Sequence, residues 1–140
     1  MKTRKGVKLI VLNPQGQVLM LRRSATDERR SGTWDFPGGG VERNESFEKG
    51  AIRELVEETG IQANTNQLKL LYAETEFYKP QQVNITRMLF ALKLKTDKEV
   101  TLSFEHEDVQ WVSAEQALID FPHPMYGKAL NYALKHRLLA

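Results

Sequence analysis

Residues 39–61 read GGVERNESFEKGAIRELVEETGI, and how this stretch is read decides the fold. Its end, RELVEETG (53–60), holds Glu54, Glu57 and Glu58 at helical spacings of three and four. On a helix these like charges oppose one another by roughly 0.2–0.5 kcal/mol per pair. Gly60 reads as the helix terminator, so the anions also crowd the negative end of the helix dipole. Ser46 reads as the N-cap and Glu48 suits the first turn. Ala51, Ile52, Leu55 and Val56 make an apolar stripe whose mean direction opposes that of the three glutamates. The expectation is a helix from Ser46 to about Thr59 that packs by the stripe and presents carboxylates on the other side. Gly50 falls on the carboxylate side and leaves room there, at about 1 kcal/mol relative to alanine.

Clustered carboxylates on a rigid element form a hard-oxygen site, which suits Mg²⁺, Mn²⁺ or Ca²⁺ rather than zinc or copper. A cation would turn their repulsion into attraction. A merely solvated acidic face is the alternative. The flanks count against it: glycines before the helix let backbone approach a metal or phosphate, Glu45 stands at the helix start, and Arg53 lies beside the cluster.

Outward from the helix, WDFP (34–37) runs as a short strand into the glycine turn. Val7–Leu12 and Val18–Arg22 are apolar β-branched runs joined by NPQGQ, which predicts a hairpin. SATDERRSGT (24–33) reads as a loop, with Arg29 and Arg30 able to meet an anion. Strands are expected at 68–79, 83–95 and 107–113. Ser113 and Gln116 fit a capping box that opens a short helix, AEQALID, and residues 125–138 form an amphipathic last helix. The order β-β-β-α-β-β-β-α-α predicts one mixed α/β domain over residues 1–140, with helices packed on a sheet.

Composition narrows the function classes. The 140 residues are 41% hydrophobic and 27% charged with net charge +2, too little to suggest a stable nucleic-acid partner. There is no cysteine, which removes disulfides, thiolate metal sites and thiol catalysis. No apolar run approaches a membrane span, and the first residues do not read as a signal peptide, so the cytoplasm is the expected location. His106, His123 and His136 form no ligand spacing, and no serine-nucleophile elbow is present.

The pattern Gly39-x5-Glu45-x7-Arg53-Glu54-Leu55-x-Glu57-Glu58-x-Gly60-Ile61 resembles the Nudix box at every defined position. At ordinary residue frequencies chance agreement is on the order of one in ten million or rarer. The stretch from Arg22-Arg23 to Phe36-Pro37-Gly38-Gly39 is further similar to the MutT type of that family. The resemblance implies an α/β/α sandwich with a mixed sheet and metal-dependent hydrolysis of a nucleoside diphosphate linked to another moiety. Carried over by position, Glu57 and Glu58 are metal ligands, and Glu54 is a ligand or the base that activates water. The Gly38 carbonyl completes the metal site, Arg53 orients a glutamate, and Glu45, Gly39 and Gly60 support the box. Mg²⁺ is the implied ion, with Mn²⁺ as a substitute. A further acidic residue beyond the box is expected, with Glu105 the first candidate and Glu107 behind it.

The box says little of the substrate. Arg23 is a candidate to contact a phosphate or the base, as the MutT-like similarity suggests, with an ordinary surface arginine the alternative. Gly39 is a further substrate-binding candidate, and Trp34 and Tyr78 are candidates to stack on a base, with core packing competing for Trp34. Pro37 followed directly by Gly38 departs from many dinucleoside-polyphosphate enzymes of the family, and Pro80 falls late for the ADP-ribose group. The expectation is a (deoxy)nucleoside triphosphate pyrophosphohydrolase. Dinucleoside polyphosphate or ADP-ribose hydrolysis is the alternative within enzymes, and a non-catalytic nucleotide sensor the alternative of another class. Homodimers are common in the family, but nothing in the sequence demands one.

Overall fold

The structure is a computed structural model that describes residues 2–26, 31–120 and 124–139. Its elements are β1 (Lys2–Leu12), β2 (Val18–Arg23), β3 (Trp34–Asp35), β4 (Gly38–Gly40), α1 (Phe47–Thr59), β5 (Leu68–Tyr78), β6 (Val83–Lys93), β7 (His106–Val112), α2 (Ala114–Asp120) and α3 (Pro124–Lys135). The sheet runs β3-β2-β1-β6-β5, with β4 also paired to β1 and β7 to β2. It is mixed: β1 and β6 are parallel, and the other pairs are antiparallel.

Side chains alternate across β1. Val7, Leu9 and Val11 face α1 and pack with Ala51 and Leu55. Ile10 and Leu12 face the other way and pack with Ala117, Met125, Ala129 and Leu130 of α2 and α3. This is the expected sandwich, with a core on each face of one sheet. No helix among the described residues is long and apolar enough to cross a membrane.

The NPQGQ hairpin forms as read. Asn13 Oδ1 accepts from the Gln15 and Gln17 N–H groups at 3.1 and 2.9 Å, and Gly16 takes φ 78°. Ser113 Oγ caps α2 by accepting from the Gln116 N–H at 3.1 Å. The first strand begins at Lys2 rather than Val7. Its polar start, KTRKG, carries no hydrophobic signal and is held instead by the parallel register Lys2↔Val83 onward. The third expected strand is divided at Phe36–Pro37, because proline has no N–H to give a ladder. The Pro37 carbonyl instead accepts from the Leu9 N–H at 2.8 Å.

Beyond that break the backbone of β4 passes very close to β1. Gly38 has φ 145°, and a Cβ there would lie 2.1 Å from the Val7 carbonyl oxygen. Gly38→Ala therefore combines a disfavoured conformation with a backbone overlap, and should cost about 2–3 kcal/mol of stability. A denaturant midpoint equal to wild type would show that this crossing is looser than described.

Candidate active site

The site is built where α1 meets the glycine turn. Ser46 Oγ accepts from the Lys49 N–H at 3.1 Å and starts the helix. Gly60, at φ 75°, stops it by donating to the Val56 carbonyl at 2.9 Å. Leu55 is fully buried against the sheet, an anchor worth roughly 1.5–3 kcal/mol.

The helix is turned from the expected orientation. Val56 is 40% exposed and Ile52 half-buried, whereas Glu58 is only 4% exposed and Thr59 is buried. The inward stripe is thus Ala51, Leu55 and Glu58, with Thr59 beside it. The physical reason is a polar contact that hydrophobic periodicity does not see. The Gly38 N–H donates to Glu58 Oε1 at 2.7 Å inside the fold. Burial pushes the Glu58 carboxyl up to about 8; the charges of Glu54 and Glu105 add to this, while Lys8 and the Gly38 N–H oppose it.

Glu54 lies one step around the helix, against the next glycine. A Cβ on Gly39 would sit 2.8 Å from the Glu54 carboxyl carbon. Burial raises the Glu54 pKa above the usual carboxylate range, with Glu57 and Glu105 adding to it and Arg53 working against it. Glu57 is the exposed member, its side chain 57% accessible.

Arg53 is the hub. Its Nε and Nη2 donate to Glu45 at 2.7 and 2.9 Å, Nη1 to Glu54 at 3.1 Å, and Nη2 also to the Gly40 carbonyl at 2.9 Å. Nη1 reaches Glu57 at 3.3 Å. These bonds hold the Glu45 carboxyl down at about 2, with help from the Glu42 N–H, and raise the Arg53 pKa further. One guanidinium thus ties the turn, the helix start and two box glutamates together. Gly50 fits as expected: a Cβ there would approach Glu45 Oε1 and Val41 to 3.0 Å.

Residues outside the box divide into those near the cluster and those away from it. Glu105 is exposed, yet its charge acts on both Glu54 and Glu58. Its carbonyl accepts from the Ser24 N–H at 3.0 Å, which ties that turn to the end of β2. Glu107 points elsewhere, paired with Arg22 at 3.0 Å. Arg23 lines a cleft beside Gly39 and Gly40. Trp34 is half-buried against the core. Tyr78 is not brought to the cluster. It is in register with Val83 and so with Lys2, four residues along and two strands across from the Gly6↔Gly40 pair, or roughly 16 Å at ~3.3 Å per residue and ~4.8 Å per strand. His106 is buried in β7, and His136 stacks on Tyr132 with centroids 4.3 Å apart. His123, Arg29 and Arg30 lie outside the described residues.

Two residues that sequence reasoning passed over stand behind the turn. Asp35 is 1% exposed, and its Oδ2 accepts from Lys8 Nζ at 2.8 Å and Arg23 Nη2 at 2.7 Å. Burial alone would raise the Asp35 pKa, but the two cations outweigh it and the net shift is downward. The available signal was Lys8 itself, a charge inside a strand buried on both faces.

The donor set, carboxylates beside tightly packed glycine backbone, is hard oxygen and suits a small divalent cation. Among the described residues no three carboxylate or histidine side chains converge closely enough to hold one. Glu57 is instead engaged by Arg53.

With this geometry in view, comparisons with known proteins assign the family. The model of the NUDIX domain matches residues 2–132, and the chain belongs to that family. It is a Nudix hydrolase. An RNA pyrophosphohydrolase of Haemophilus influenzae is 28% identical over 149 residues, covering 91% of this chain and 72% of the relative. A putative 8-oxo-dGTP diphosphatase of Bacillus subtilis is 31% identical over 109 residues, covering 78% of this chain and 66% of that one. The crystal structure of a MutT protein from Methanosarcina mazei matches with TM-score 0.76 at 27% identity, covering 97% and 96% of the two chains.

Proposed function

We propose that the chain is a Mg²⁺-dependent pyrophosphohydrolase of (deoxy)nucleoside triphosphates, releasing the nucleoside monophosphate and pyrophosphate. One observation carries this reading. Glu54 and Glu58 press on the backbone of Gly38 and Gly39 from one side, and Lys8 and Arg23, both paired with buried Asp35, bring positive charge to the same turn. A polyphosphate laid over that turn meets oxygen donors for a cation at one end and fixed positive charge at the other.

The ion, Mg²⁺ with Mn²⁺ as a substitute, would be held by Glu57, Glu58 and the Gly38 carbonyl once the exposed Glu57 side chain leaves Arg53 and turns to it, with Glu54 a further ligand where Glu105 serves as the base. When bound, it neutralises phosphate oxygens and makes water more acidic. The chain's own residues do the rest. A carboxylate oxygen of Glu54 or Glu105 takes the proton from the attacking water, and burial, by raising the Glu54 pKa from its ordinary value, makes that carboxylate a stronger base. Arg53 fixes the orientation of Glu54. Arg23, held by Asp35, supports a non-reacting phosphate. Water oxygen bonds to phosphorus, the bridging P–O bond breaks, and pyrophosphate leaves without a covalent enzyme intermediate.

The relative that acts on RNA adds one specific alternative, the 5′-triphosphate end of an RNA. A substrate panel with Mg²⁺ separates the two readings. Nucleoside triphosphates, 5′-triphosphorylated RNA, diadenosine polyphosphates and ADP-ribose are compared by product identity. The expected result is highest kcat/KM for a free triphosphate, with monophosphate and pyrophosphate as products. Dominant turnover of RNA, dinucleotide or ADP-ribose overturns the substrate assignment.

A further inference from the structure

The cleft beside the glycine turn has a volume of about 210 Å³ and lies on the α3 side of the sheet. At ~30 Å³ per water it holds about seven waters. That is room for one flat heterocycle, well short of the 300–1,000 Å³ typical of sites that enclose a whole ligand. With phosphates on the turn, the part of a nucleotide that fits here is the base.

The wall has a one-sided chemistry. Its described polar side chains are Lys8, Arg23, Arg87 and Tyr126. Lysine and arginine are donors without an acceptor, and only the phenol can play both roles. Lys8 and Arg23 are both engaged with buried Asp35. Arg87 differs. It stands on β6 opposite Gly6 of β1, its Cγ 4.0 Å from where a Gly6 Cβ would be, so no side chain of that β1 residue covers it. Its ion-pair partner, Glu76, is 49% exposed. The Arg87 side chain is itself only 19% exposed, and this pair engages Nη1 alone, so Nε and Nη2 of its planar fork remain for an incoming group.

We infer that this cleft receives the base of the substrate and that Arg87 is the specificity-determining residue. It selects a base whose inward edge carries acceptors (guanine, hypoxanthine or uracil) over adenine and cytosine, whose exocyclic amines present donors to a donor wall. Arginine pairs with the O6 and N7 acceptors of guanine in a bidentate fashion, whereas N6 of adenine and N4 of cytosine are donors. The inference rests on the triphosphate reading and names the base within it.

The test is kcat/KM for GTP, ITP, UTP, ATP and CTP with Mg²⁺, for wild type, Arg87→Met and Arg87→Gln. Wild type should prefer the first three by about tenfold or more, and both variants should bring the five within about threefold by losing the favoured bases alone. No preference in wild type, or an equal loss on all five in the variants, overturns the inference; the latter places Arg87 on the phosphates or in the sheet. If none of the five is hydrolysed, the triphosphate reading fails by itself. Equilibrium binding of the same nucleotides to Glu57→Gln protein, with and without Arg87→Met, then decides the base question. A preference for acceptor-edged bases that Arg87→Met abolishes supports the inference, and equal binding overturns it.

Discussion

Glu57→Gln should lower turnover at least about 100-fold, because a neutral amide replaces an anionic oxygen donor at the proposed metal site. The fold should not notice. The Glu57 side chain is 57% exposed, and its partner among the described residues is Arg53 at 3.3 Å, an arrangement typically worth about 0–1 kcal/mol. The change also removes a negative charge that burdens the neighbouring Glu54. Unfolding in chelator should therefore shift by no more than about 1 kcal/mol, in either direction. The combination is diagnostic: a protein as stable as wild type that hardly turns over. A variant that unfolds would assign Glu57 to structure, and a fully active one would remove it from the reaction.

The second large effect is a stability that declines with rising pH when no divalent ion is present. Folded Glu58 keeps its proton until about pH 8, while an unfolded glutamate releases it near 4.5. Between those values the native state binds more protons than the unfolded state, so stability is full below the lower value and falls as pH rises towards 8. At about 1.4 kcal/mol per pH unit across that window the loss is at most about 5 kcal/mol, and a few is the expected scale. Glu54, also raised, acts in the same direction. Glu45 and Asp35 are lowered, so their contributions are present above the usual carboxylate range and vanish only in stronger acid. Glu58→Gln should flatten the decline and be more stable than wild type at pH 8 in chelator. Denaturation series at pH 5, 6.5 and 8 read this directly. A wild-type curve without slope, or a glutamine variant with the wild-type slope, would show that Glu58 is ionised in the fold.

These two glutamates show what the sequence could disclose. Ser46, Gly60, the hairpin at Asn13–Gln17 and the box itself were legible because each is a local rule: a cap, a terminator, a turn, a spacing. The inward turn of Glu58 was not, since apolar periodicity put Val56 in the core and all three carboxylates outside. Only the Gly38 N–H, twenty residues away, explains the reversal. The same holds for Lys8, Asp35 and Arg23, whose network joins β1, β3 and β2. Tyr78 was a reasonable aromatic candidate by distance along the chain, but strand register carries it away from the turn. Substrate contacts are non-local in this fold, so a linear pattern reveals the glutamates and leaves the cleft to the structure.

The central claim is that water breaks the α–β phosphoric anhydride of a nucleoside triphosphate at this glutamate site. Hydrolysis of GTP in ¹⁸O-labelled water with Mg²⁺, with the products resolved by mass, tests it most directly. The account predicts GMP and pyrophosphate, with one labelled oxygen entering per bond broken and almost no product from Glu57→Gln. GTP bound but unchanged, or GDP and inorganic phosphate as the products, would contradict it.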